Sequence, residues 1–440
     1  MTAVVAGPVG ASRPVPALRN ASYRRLLGGA TLSALGDQVW YVALSYAAVR
    51  AGSPAAAGVV LSVSAIPRLL LVLFGGVIVD RFDARKLMIG SDSLRAVVCL
   101  GAALVATATS PGLGLLAGVA VVFGVVDALF MPASVALRPR LLEPHQYSGG
   151  AVLWTLSGRL ALTVGAPLGG VVAASAGLGA ALVVDAVSFV ASLVSLVGLR
   201  VRKEVSAKAG AGAGARAGAE ARSGTPAATA AARTATRKEP FGRSFVAGLG
   251  YLRQHAVLGP FVVWLALTNI GMVGPLNVGA ALLATRRGWG APGIGLLLTG
   301  FGIGAAVGAV GMGKVRVRGG LGVWLAGAGA LQGVAGAAMA LVPTLGGAIA
   351  AAAAVGMLSS AMGVPATVVM QAECDDAFRG RVGSVTTLIT LGIVPLTMGL
   401  MGLMVGAFGL SAAFGISGAV EVLGLLCLLS RGFRSVRAPQ

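Results

Sequence analysis

Long apolar runs, each close to twenty residues, follow one another along most of the chain and are separated by short segments that carry most of the charges. A helix rises 1.5 Å per residue, so about 20 apolar residues cross the hydrocarbon of a bilayer. The pattern therefore predicts an all-α integral membrane protein with twelve membrane-spanning helices. The predicted spans cover residues 26–49, 55–79, 87–109, 112–136, 148–173, 180–199, 259–283, 292–311, 321–342, 345–370, 383–405 and 411–430.

A polar segment divides these spans into two sets of six. Residues 203–238 are rich in Ala, Gly, Ser and Thr with scattered Arg and Lys, which is typical of a flexible linker. We therefore expect two bundles of six helices joined by a linker and flanked by two short segments. The predicted parts are an N-terminal segment (1–25), a first bundle (26–199), a linker (200–258), a second bundle (259–430) and a tail (431–440).

The end of the linker has a helical pattern of its own. Phe241, Phe245, Leu249 and Leu252 recur at helical spacing beside basic residues. This pattern indicates either a short amphipathic helix on the membrane surface or an extension of the seventh span.

The two sets of spans resemble copies of one another, because matching residues recur at a nearly constant offset. The matched pairs are Pro132 and Pro365, Pro167 and Pro395, and Asp37 and Asn269, at offsets of 233, 228 and 232. A repeated offset in three helix pairs indicates a duplicated six-helix unit with parallel topology.

Composition and charge agree with a membrane location. Hydrophobic residues make up 56% of the 440 residues and charged residues 11%, against about a quarter charged in soluble domains. With a cytoplasmic N-terminus, 28 of the 34 Lys and Arg residues lie on the cytoplasmic side. The others are Arg50, Arg286 and Arg287 on the opposite side and Arg68, Arg95 and Arg159 within spans. The positive-inside rule thus places both termini in the cytoplasm of a multi-pass cell-membrane protein, and the net charge of +20 argues for topology rather than nucleic-acid binding.

The sequence contains no convincing motif of an enzyme active site, a cofactor site or a metal site. Residues 308–315 (GAVGMGKV) imitate a phosphate-binding loop, but Val315 lacks the hydroxyl that would bind magnesium, and a membrane span precedes the segment instead of a strand. The three cysteines have no metal-binding or disulfide spacing. We therefore expect no enzyme activity, no ATP binding, no cofactor and no metal site.

Four charged residues are predicted near the middle of the bilayer, where an isolated charge costs about 3 kcal/mol. Asp37 and Arg159 each lie about eleven residues into their helices, roughly 16 Å deep. Arg68 and Asp127 have similar depths, counted back from Asp80 and Arg138. Two interpretations stay open: Asp37 or Asp127 carries protons, with Arg68 and Arg159 as charge partners, or the four residues form a fixed salt-bridge network.

The other charges in the spans suggest weaker roles. Asp92 and Arg95 are expected near the inner end of the third span, where they would stabilise the adjacent loop. Asp185 and Glu421 are expected to make structural polar contacts in the sixth and twelfth spans. Asn269 and Asn277 are the candidate polar residues of a substrate cavity in the second half, which otherwise offers mainly apolar surface.

The segment GGVIVDRFDARK between the second and third spans resembles the signature of the major facilitator superfamily. Its matching residues are Gly76, Asp80, Arg81, Arg85 and Lys86. The stretch GAPLGG in the fifth span, with Gly165, Pro167, Gly169 and Gly170, is similar to an element of the drug:proton antiporters, although Ala166 stands where that family usually has glycine. SALGD, DALFMPA, DAVSF and FRGRV further resemble the branch of enterobactin exporters and macrolide efflux proteins.

This resemblance implies the major facilitator fold, with two pseudo-repeated six-helix bundles around a central cavity. We expect the protein to be a monomer. It implies that the helix 2–3 loop is a conformational latch in which Asp80 contacts the start of the eleventh span. The leading functional hypothesis is proton-driven export of drug-like, siderophore-like or secondary-metabolite compounds. A facilitator or importer of a metabolite in the same fold and a non-transporting scaffold or sensor are the alternatives.

Overall fold

The computed structural model describes residues 17–71, 82–109, 111–199, 241–312, 320–375 and 378–428, apart from the side chains of 241–244 and Val364. In chain order the long helices are α1 (Ala21–Ala51), α2 (Pro54–Leu71), α3 (Ala84–Ala108), α4 (Leu113–Leu141), α5 (Tyr147–Ser175), α6 (Gly177–Val197), α7 (Phe241–Gln254), α8 (Leu258–Arg286), α9 (Gly290–Met312), α10 (Leu321–Leu341), α11 (Leu345–Glu373), α12 (Arg379–Phe408) and α13 (Leu410–Leu428). The predicted N-terminal residues 1–16, the linker 203–238 and the tail 431–440 lie outside this description.

The helices have the length and composition of membrane spans. Eleven of them are long and apolar enough to cross a bilayer. The helix α1 has 31 residues but a less apolar run, which Asp37 and Gln38 interrupt, and with it the long helices other than α7 number twelve. Large apolar side chains such as Leu104 and Val310 point away from the protein, as a surface in contact with lipid requires. The predicted count of twelve spans is confirmed.

The start of α1 shows why a predicted boundary can be several residues off. The helix begins at Ala21, ahead of the predicted residue 26, because the Asn20 side chain caps it by accepting a hydrogen bond of 3.0 Å from the backbone N–H of Tyr23. The Asn20 amide also donates to the carbonyl of Leu141 at the end of α4. A polar cap thus extends the helix past its apolar run.

The helices before and after the linker pack in the same arrangement. In the first half α1 packs against α5 and α6, α2 against α4, and α3 against α4 and α6. In the second half α8 packs against α12 and α13, α9 against α11, and α10 against α11 and α13. Because α8 to α13 repeat the order of α1 to α6, the same five pairs recur in each half. This confirms two pseudo-repeated six-helix bundles.

The two bundles meet along two pairs of helices, α2 with α12 and α5 with α9. Small residues allow this close approach. A Cβ on Gly58 would lie 2.9 Å from the carbonyl oxygen of Met398, and a Cβ on Gly170 would lie 2.7 Å from that of Ala291. Glycines at helix contacts of this kind permit backbone-to-backbone packing in lipid.

The contacts between the bundles concentrate at one end of the molecule. Gly58 and Gly170 lie near the end where α1 joins α2 and α5 joins α6, which we call the closed end. Toward the other end, where α4 joins α5, residues 151–160 of α5 contain no buried residue, whereas residues 161–170 contain five. Within the described residues, α5 is therefore less buried toward this second end, which we call the open end.

The helix α7 is separate from α8, so the predicted pattern at the end of the linker is not an extension of the seventh span. The chain leaves helical geometry at His255, whose ring nitrogen Nδ1 accepts hydrogen bonds from the backbone N–H groups of Val257 and Leu258. The Tyr251 ring stacks on Phe378 at 4.3 Å between centroids, just before α12. These contacts attach α7 to the second bundle.

Candidate functional site

A central cavity of about 500 Å³ lies between the two bundles. Residues of α1, α2, α4 and α5 form one wall, and residues of α8, α9 and α12 form the other. The first wall carries Asp37, Arg68 and Asp127, whereas the most polar residue of the second wall is Asn277. The cavity is therefore charged on one side and mainly apolar on the other, as the sequence predicts.

The structure brings Arg68 and Asp127 together in a salt bridge between α2 and α4. Both side chains remain accessible from the cavity, since Arg68 is 45% exposed and Asp127 is 19% exposed. The two depths counted from the ends of the helices are consistent with this contact. Asp127 is therefore an acid at the cavity wall whose charge is neutralised by Arg68.

The structure places Arg95 among the carboxylates of the cluster, whereas the sequence predicts it near the inner end of the third span. Arg95 on α3 is 1% exposed, and its guanidinium donates to Asp92 at 2.6 Å and to Asp127 at 3.0 Å. The nearer Asp37 oxygen lies 3.7 Å from Arg95 Nη1, which is an ion pair without a hydrogen bond. Arg95 thus connects three carboxylates on α1, α3 and α4. The expectation that Asp92 and Arg95 only stabilise a loop is wrong.

Aromatic rings hold this buried guanidinium in place. Its central carbon lies 4.3 Å from the ring centre of Phe189 and 4.8 Å from that of Phe130. A cation above an aromatic face is stabilised by the electrons of the ring, and more so where water is excluded. Arg95 is therefore a fixed charge behind the cavity wall, whereas Arg68 stands in the cavity.

The depth of Arg95 in the membrane could have been predicted from the sequence if the start of α3 had been placed correctly. Asp83 caps α3, its side chain accepting a hydrogen bond of 3.0 Å from the backbone N–H of Lys86, so the helix begins at Ala84 instead of at the predicted residue 87. From Ala84, Arg95 is as deep as Asp37 and Arg159 are in their helices, roughly 16 Å at 1.5 Å per residue.

Among the acids of this cluster that line the cavity, Asp37 has the weaker contact with a cation. Its side chain is 33% exposed and lines the cavity, and the 3.7 Å contact with Arg95 is its one ion pair among the described residues. Asp127, by contrast, contacts both Arg68 and Arg95. A carboxylate that water can reach and that one cation partly neutralises is suited to gaining and losing a proton.

The remaining predicted charge partner is not part of the cluster. Arg159 on α5 is exposed and forms no ion pair with a residue that the structure describes. Its depth matches that of Asp37, but its direction around the helix axis differs, and depth alone does not fix direction. Arg95 takes the place that the sequence interpretation gave to Arg159.

Asp185 on α6 lies behind the cluster and is fully buried. Cys99 Sγ lies 3.7 Å from its Oδ2, and the Ser188 hydroxyl donates to Oδ1 at 3.3 Å. These are structural polar contacts of the predicted kind. Asp185 is not among the cavity-lining residues in the described part of the chain.

The two predicted amides have different positions. The hydroxyl of Tyr41 on α1 donates a 2.6 Å hydrogen bond to Asn277 Oδ1 on α8, which links the bundles across the cavity. Asn269 donates to the carbonyl of Leu265 in its own helix at 2.8 Å and does not line the described cavity. Asn277 also donates to a carbonyl of its own helix, that of Val273 at 2.8 Å, but it lines the cavity and is therefore the one of the two amides that can contact a bound molecule.

Aromatic rings form much of the charged wall. Trp40 and Phe123 lie 5.6 Å apart between ring centres, and both line the cavity. Phe301 faces them from the other bundle. Apolar and aromatic walls with a few polar groups are typical of sites for small organic molecules.

The predicted GAPLGG element packs α5 between two helices. A Cβ on Gly165 or Gly169 would come within 2.8 Å of α1, at Gln38 and Val39 respectively, whereas Gly170 faces α9 of the other bundle. Pro167 also lies at α9, where a Cβ on Gly295 would be 2.9 Å from the Pro167 Cα. The element therefore belongs to the contact that closes one end of the cavity.

Part of the predicted latch can be placed. Arg85 donates hydrogen bonds to the carbonyls of Leu196 and Val197 at 2.9 and 2.6 Å, which caps the end of α6, and the Lys86 backbone N–H bonds Asp83. Gly76, Asp80 and Arg81 lie outside the described residues.

The chain is similar to known membrane transporters over most of its length. The model of the family described as Major Facilitator Superfamily matches residues 26–395. The multidrug efflux pump Tap of Mycobacterium tuberculosis is 26% identical over 396 residues, which are 88% of this chain and 88% of that protein. Among solved structures, the nucleoside transporter NupG has a TM-score of 0.68 at 12% identity and the D-xylose-proton symporter one of 0.67 at 13%. The NupG match covers 93% of this chain and 98% of that chain, and the symporter match 94% and 98%.

Proposed function

The chain belongs to the major facilitator superfamily, and we propose that it is a proton-coupled antiporter that exports small organic compounds by alternating access. Drug-like, siderophore-like and secondary-metabolite compounds are the proposed substrates. The observation that carries this proposal is the Asp37 carboxyl, which faces an aromatic cavity within 3.7 Å of a buried arginine. The similarity to the multidrug efflux pump Tap favours export over import.

Asp37 is the proposed proton carrier and Asp127 the second candidate. When ionised, Asp37 competes with Asp127 and Asp92 for the single guanidinium of Arg95. A proton on Asp37 removes that competition, so Arg95 binds its two hydrogen-bonded partners more tightly. Protonation thereby changes the charge of the cavity wall that a substrate meets.

The proposed cycle alternates the end at which the bundles touch. In the described state the bundles meet through α2–α12 and α5–α9 near the closed end. Opening that end requires these glycine-rich contacts to part while others form at the open end. We assign the helix 2–3 loop with Gly76, Asp80, Arg81, Arg85 and Lys86 to the second set of contacts, which would act as the latch of the alternative state.

The proposed location is the cell membrane, with both termini in the cytoplasm and the protein acting as a monomer. The distribution of Lys and Arg supports this orientation. The open end then faces the cytoplasm, and the described state is the inward-facing one that takes up substrate from inside the cell.

The test is efflux of a panel of fluorescent cationic, neutral and anionic compounds from cells that express the protein, with and without a proton uncoupler. We expect at least one apolar compound to leave faster than from cells with empty vector, and the uncoupler to abolish the difference. Efflux that the uncoupler leaves unchanged would contradict proton coupling. Substrate accumulation in right-side-out vesicles would instead assign an importer.

A further inference from the structure

The second bundle contains one fully buried acid that the proposed mechanism does not use. Glu421 on α13 is 2% exposed, and its Oε1 atom has no hydrogen-bond partner among the described residues. An ionised carboxyl in such surroundings loses its hydration without compensation, which is costly. A proton on the carboxyl removes that cost.

A second buried oxygen without a donor lies in the same place. Gln332 on α10 is 1% exposed, and its amide nitrogen donates to the Val355 carbonyl at 3.2 Å and lies 3.2 Å from Met272 Sδ. The amide oxygen is left with no hydrogen-bond partner in the described part of the chain. Two hydrogen-bond acceptors, Glu421 Oε1 and Gln332 Oε1, are therefore buried in the same region, and neither has a donor among the described residues.

Both side chains line a small cavity between α8, α10, α11 and α13. Its volume of about 20 Å³ for the centre of a water molecule exceeds the roughly 10–15 Å³ that one water needs. One water can donate to Gln332 Oε1 while it accepts from, or donates to, the Glu421 carboxyl. The cavity therefore fits a carboxyl in either protonation state.

Glycines hold the carboxyl inside this cavity. A Cβ on Gly271 of α8 would come within 2.8 Å of the Glu421 Cβ, and one on Gly333 of α10 would be 2.7 Å from the Gly418 carbonyl. The three helices are packed backbone against backbone around the base of the side chain. Glu421 therefore cannot turn out to lipid without separating them.

The cavity borders the central one at a single irregular turn. Residues Pro275–Gly279 of α8 form a π-helix, and Leu276 within that turn lines both cavities. Turns of π-helix inside α-helices are rare and often occur at functional sites. Movement of the Leu276 side chain would join the Glu421 cavity to the central cavity.

Other charges do not reach this cavity. On the helices that border it or pack against α13, the described charged residues are Arg286 on α8, Arg379 and Arg381 on α12 and Glu373 on α11, all near helix ends. None lines the cavity, and α10 has no charged residue. The charge on Glu421 is therefore set by its proton alone.

We propose that Glu421 is a second proton-binding site, paired through one water with Gln332 and reached from the central cavity past Leu276. The proton passes from the carboxyl oxygen to the water, which releases a proton toward the central cavity, and uptake reverses these steps. The site rests on the packing of the second bundle, so it holds whether the chain exports drugs or carries another substrate.

The test uses infrared difference spectra of the full-length purified protein in nanodiscs during a change of pH or a transfer into D₂O. We expect a carbonyl-stretch band of a protonated carboxyl that shifts in D₂O and is missing in Glu421→Gln. The band should change position in Gln332→Met, which removes the acceptor and keeps the acid. Glu143→Gln, which changes an exposed acid, is the matched control and should leave the band unchanged.

The entry path has its own measurement. Leu276→Phe should slow the deuterium shift of the Glu421 band by roughly tenfold, because a larger side chain raises the cost of local opening. Leu296→Phe, on the outer side of α9, is the control and should not change the rate. Identical spectra for wild type and Glu421→Gln would overturn the site, and a band that never exchanges would show a static structural acid instead. Loss of proton-driven export with an intact Glu421 band would contradict only the proposed function.

Discussion

The two bundles have the same helix packing, but their acids differ in whether they are paired with cations. In the first bundle, Arg95 and Arg68 neutralise a set of carboxylates beside a cavity of about 500 Å³. In the second bundle, Glu421 lines a cavity of about 20 Å³ whose described lining contains no cation. A duplicated scaffold thus keeps its helix pairs while its charges diverge, and small residues make many of the closest helix contacts.

The repeat-related pair of Asp37 and Asn269 illustrates this divergence. Asp37 faces the central cavity, whereas the Asn269 amide bonds back to Leu265 in its own helix. The equivalent position in the second bundle has therefore no part in the charged wall. At this pair of equivalent positions, only the first bundle therefore places an acid directly at the wall of the central cavity.

Removal of Arg95, the buried cation of the first bundle, is expected to have the strongest effect. Arg95→Met leaves the buried Asp92 without its 2.6 Å partner, and loss of one member of a buried ion pair costs about 3–5 kcal/mol. We expect a strongly lowered melting temperature in detergent and no transport. Arg159→Met, which changes an exposed arginine, is the control, and equal stability of the two variants would contradict the central role of Arg95.

The contact between the halves is expected to be the next most sensitive. A side chain in Gly295→Val meets the backbone of α5, since even its Cβ would lie 2.9 Å from the Pro167 Cα, and such overpacking costs about 1–3 kcal/mol. The population should move toward the state open at the other end, by tenfold or more. Labelling of single cysteines placed at the two cavity mouths measures this. Gly158→Val, at an α5 glycine with no neighbour within 4 Å, should leave the labelling unchanged.

A carboxyl added at the position equivalent to Asp37 tests whether the second bundle can take part in coupling. Asn269→Asp removes the donor to Leu265 and adds an acid to α8, whose one charged residue is Arg286 at its far end, at a cost of about 1–2 kcal/mol. We expect a lower melting temperature and an unchanged number of protons per substrate. A raised proton count in proteoliposomes would show that the second bundle accepts coupling at this position.

The smallest effect is expected at the hydrogen bond that joins the halves. Tyr41→Phe removes the donor to Asn277 Oδ1 at 2.6 Å, for a net loss of about 0.5–1.5 kcal/mol. Apparent substrate affinity should change by a factor of a few at most. A double-mutant cycle with Asn277→Leu measures the coupling, and strictly additive effects would contradict a hydrogen bond between the halves.

Periodicity and composition predict the twelve helices and their two bundles, because the lengths of the apolar runs and the spacing of the repeated residues can be counted along the sequence. They also predicted the depth of Arg68 and Asp127, and the structure pairs these two residues. Depth does not specify the direction around a helix, which is why Arg159 was assigned to the cluster. The position of Arg95 depended on the cap at Asp83, which shifts the start of α3.

The pocket around Glu421 was beyond sequence reasoning for a different reason. Its members come from four helices, and no local motif connects Gln332 with Glu421 across 89 positions. From the sequence, Glu421 is expected only to make a structural polar contact in the twelfth span. The missing hydrogen-bond donor becomes visible only when the helices are packed.

The most direct test of proton coupling through Asp37 is Asp37→Asn in proteoliposomes that contain a pH-sensitive dye and a substrate from the efflux panel. We expect that the variant still exchanges substrate across the membrane without a pH gradient, while substrate-driven proton movement is lost. Glu143→Gln, at an exposed acid, should behave as wild type. Undiminished proton movement in Asp37→Asn would contradict the assignment of Asp37 as the carrier.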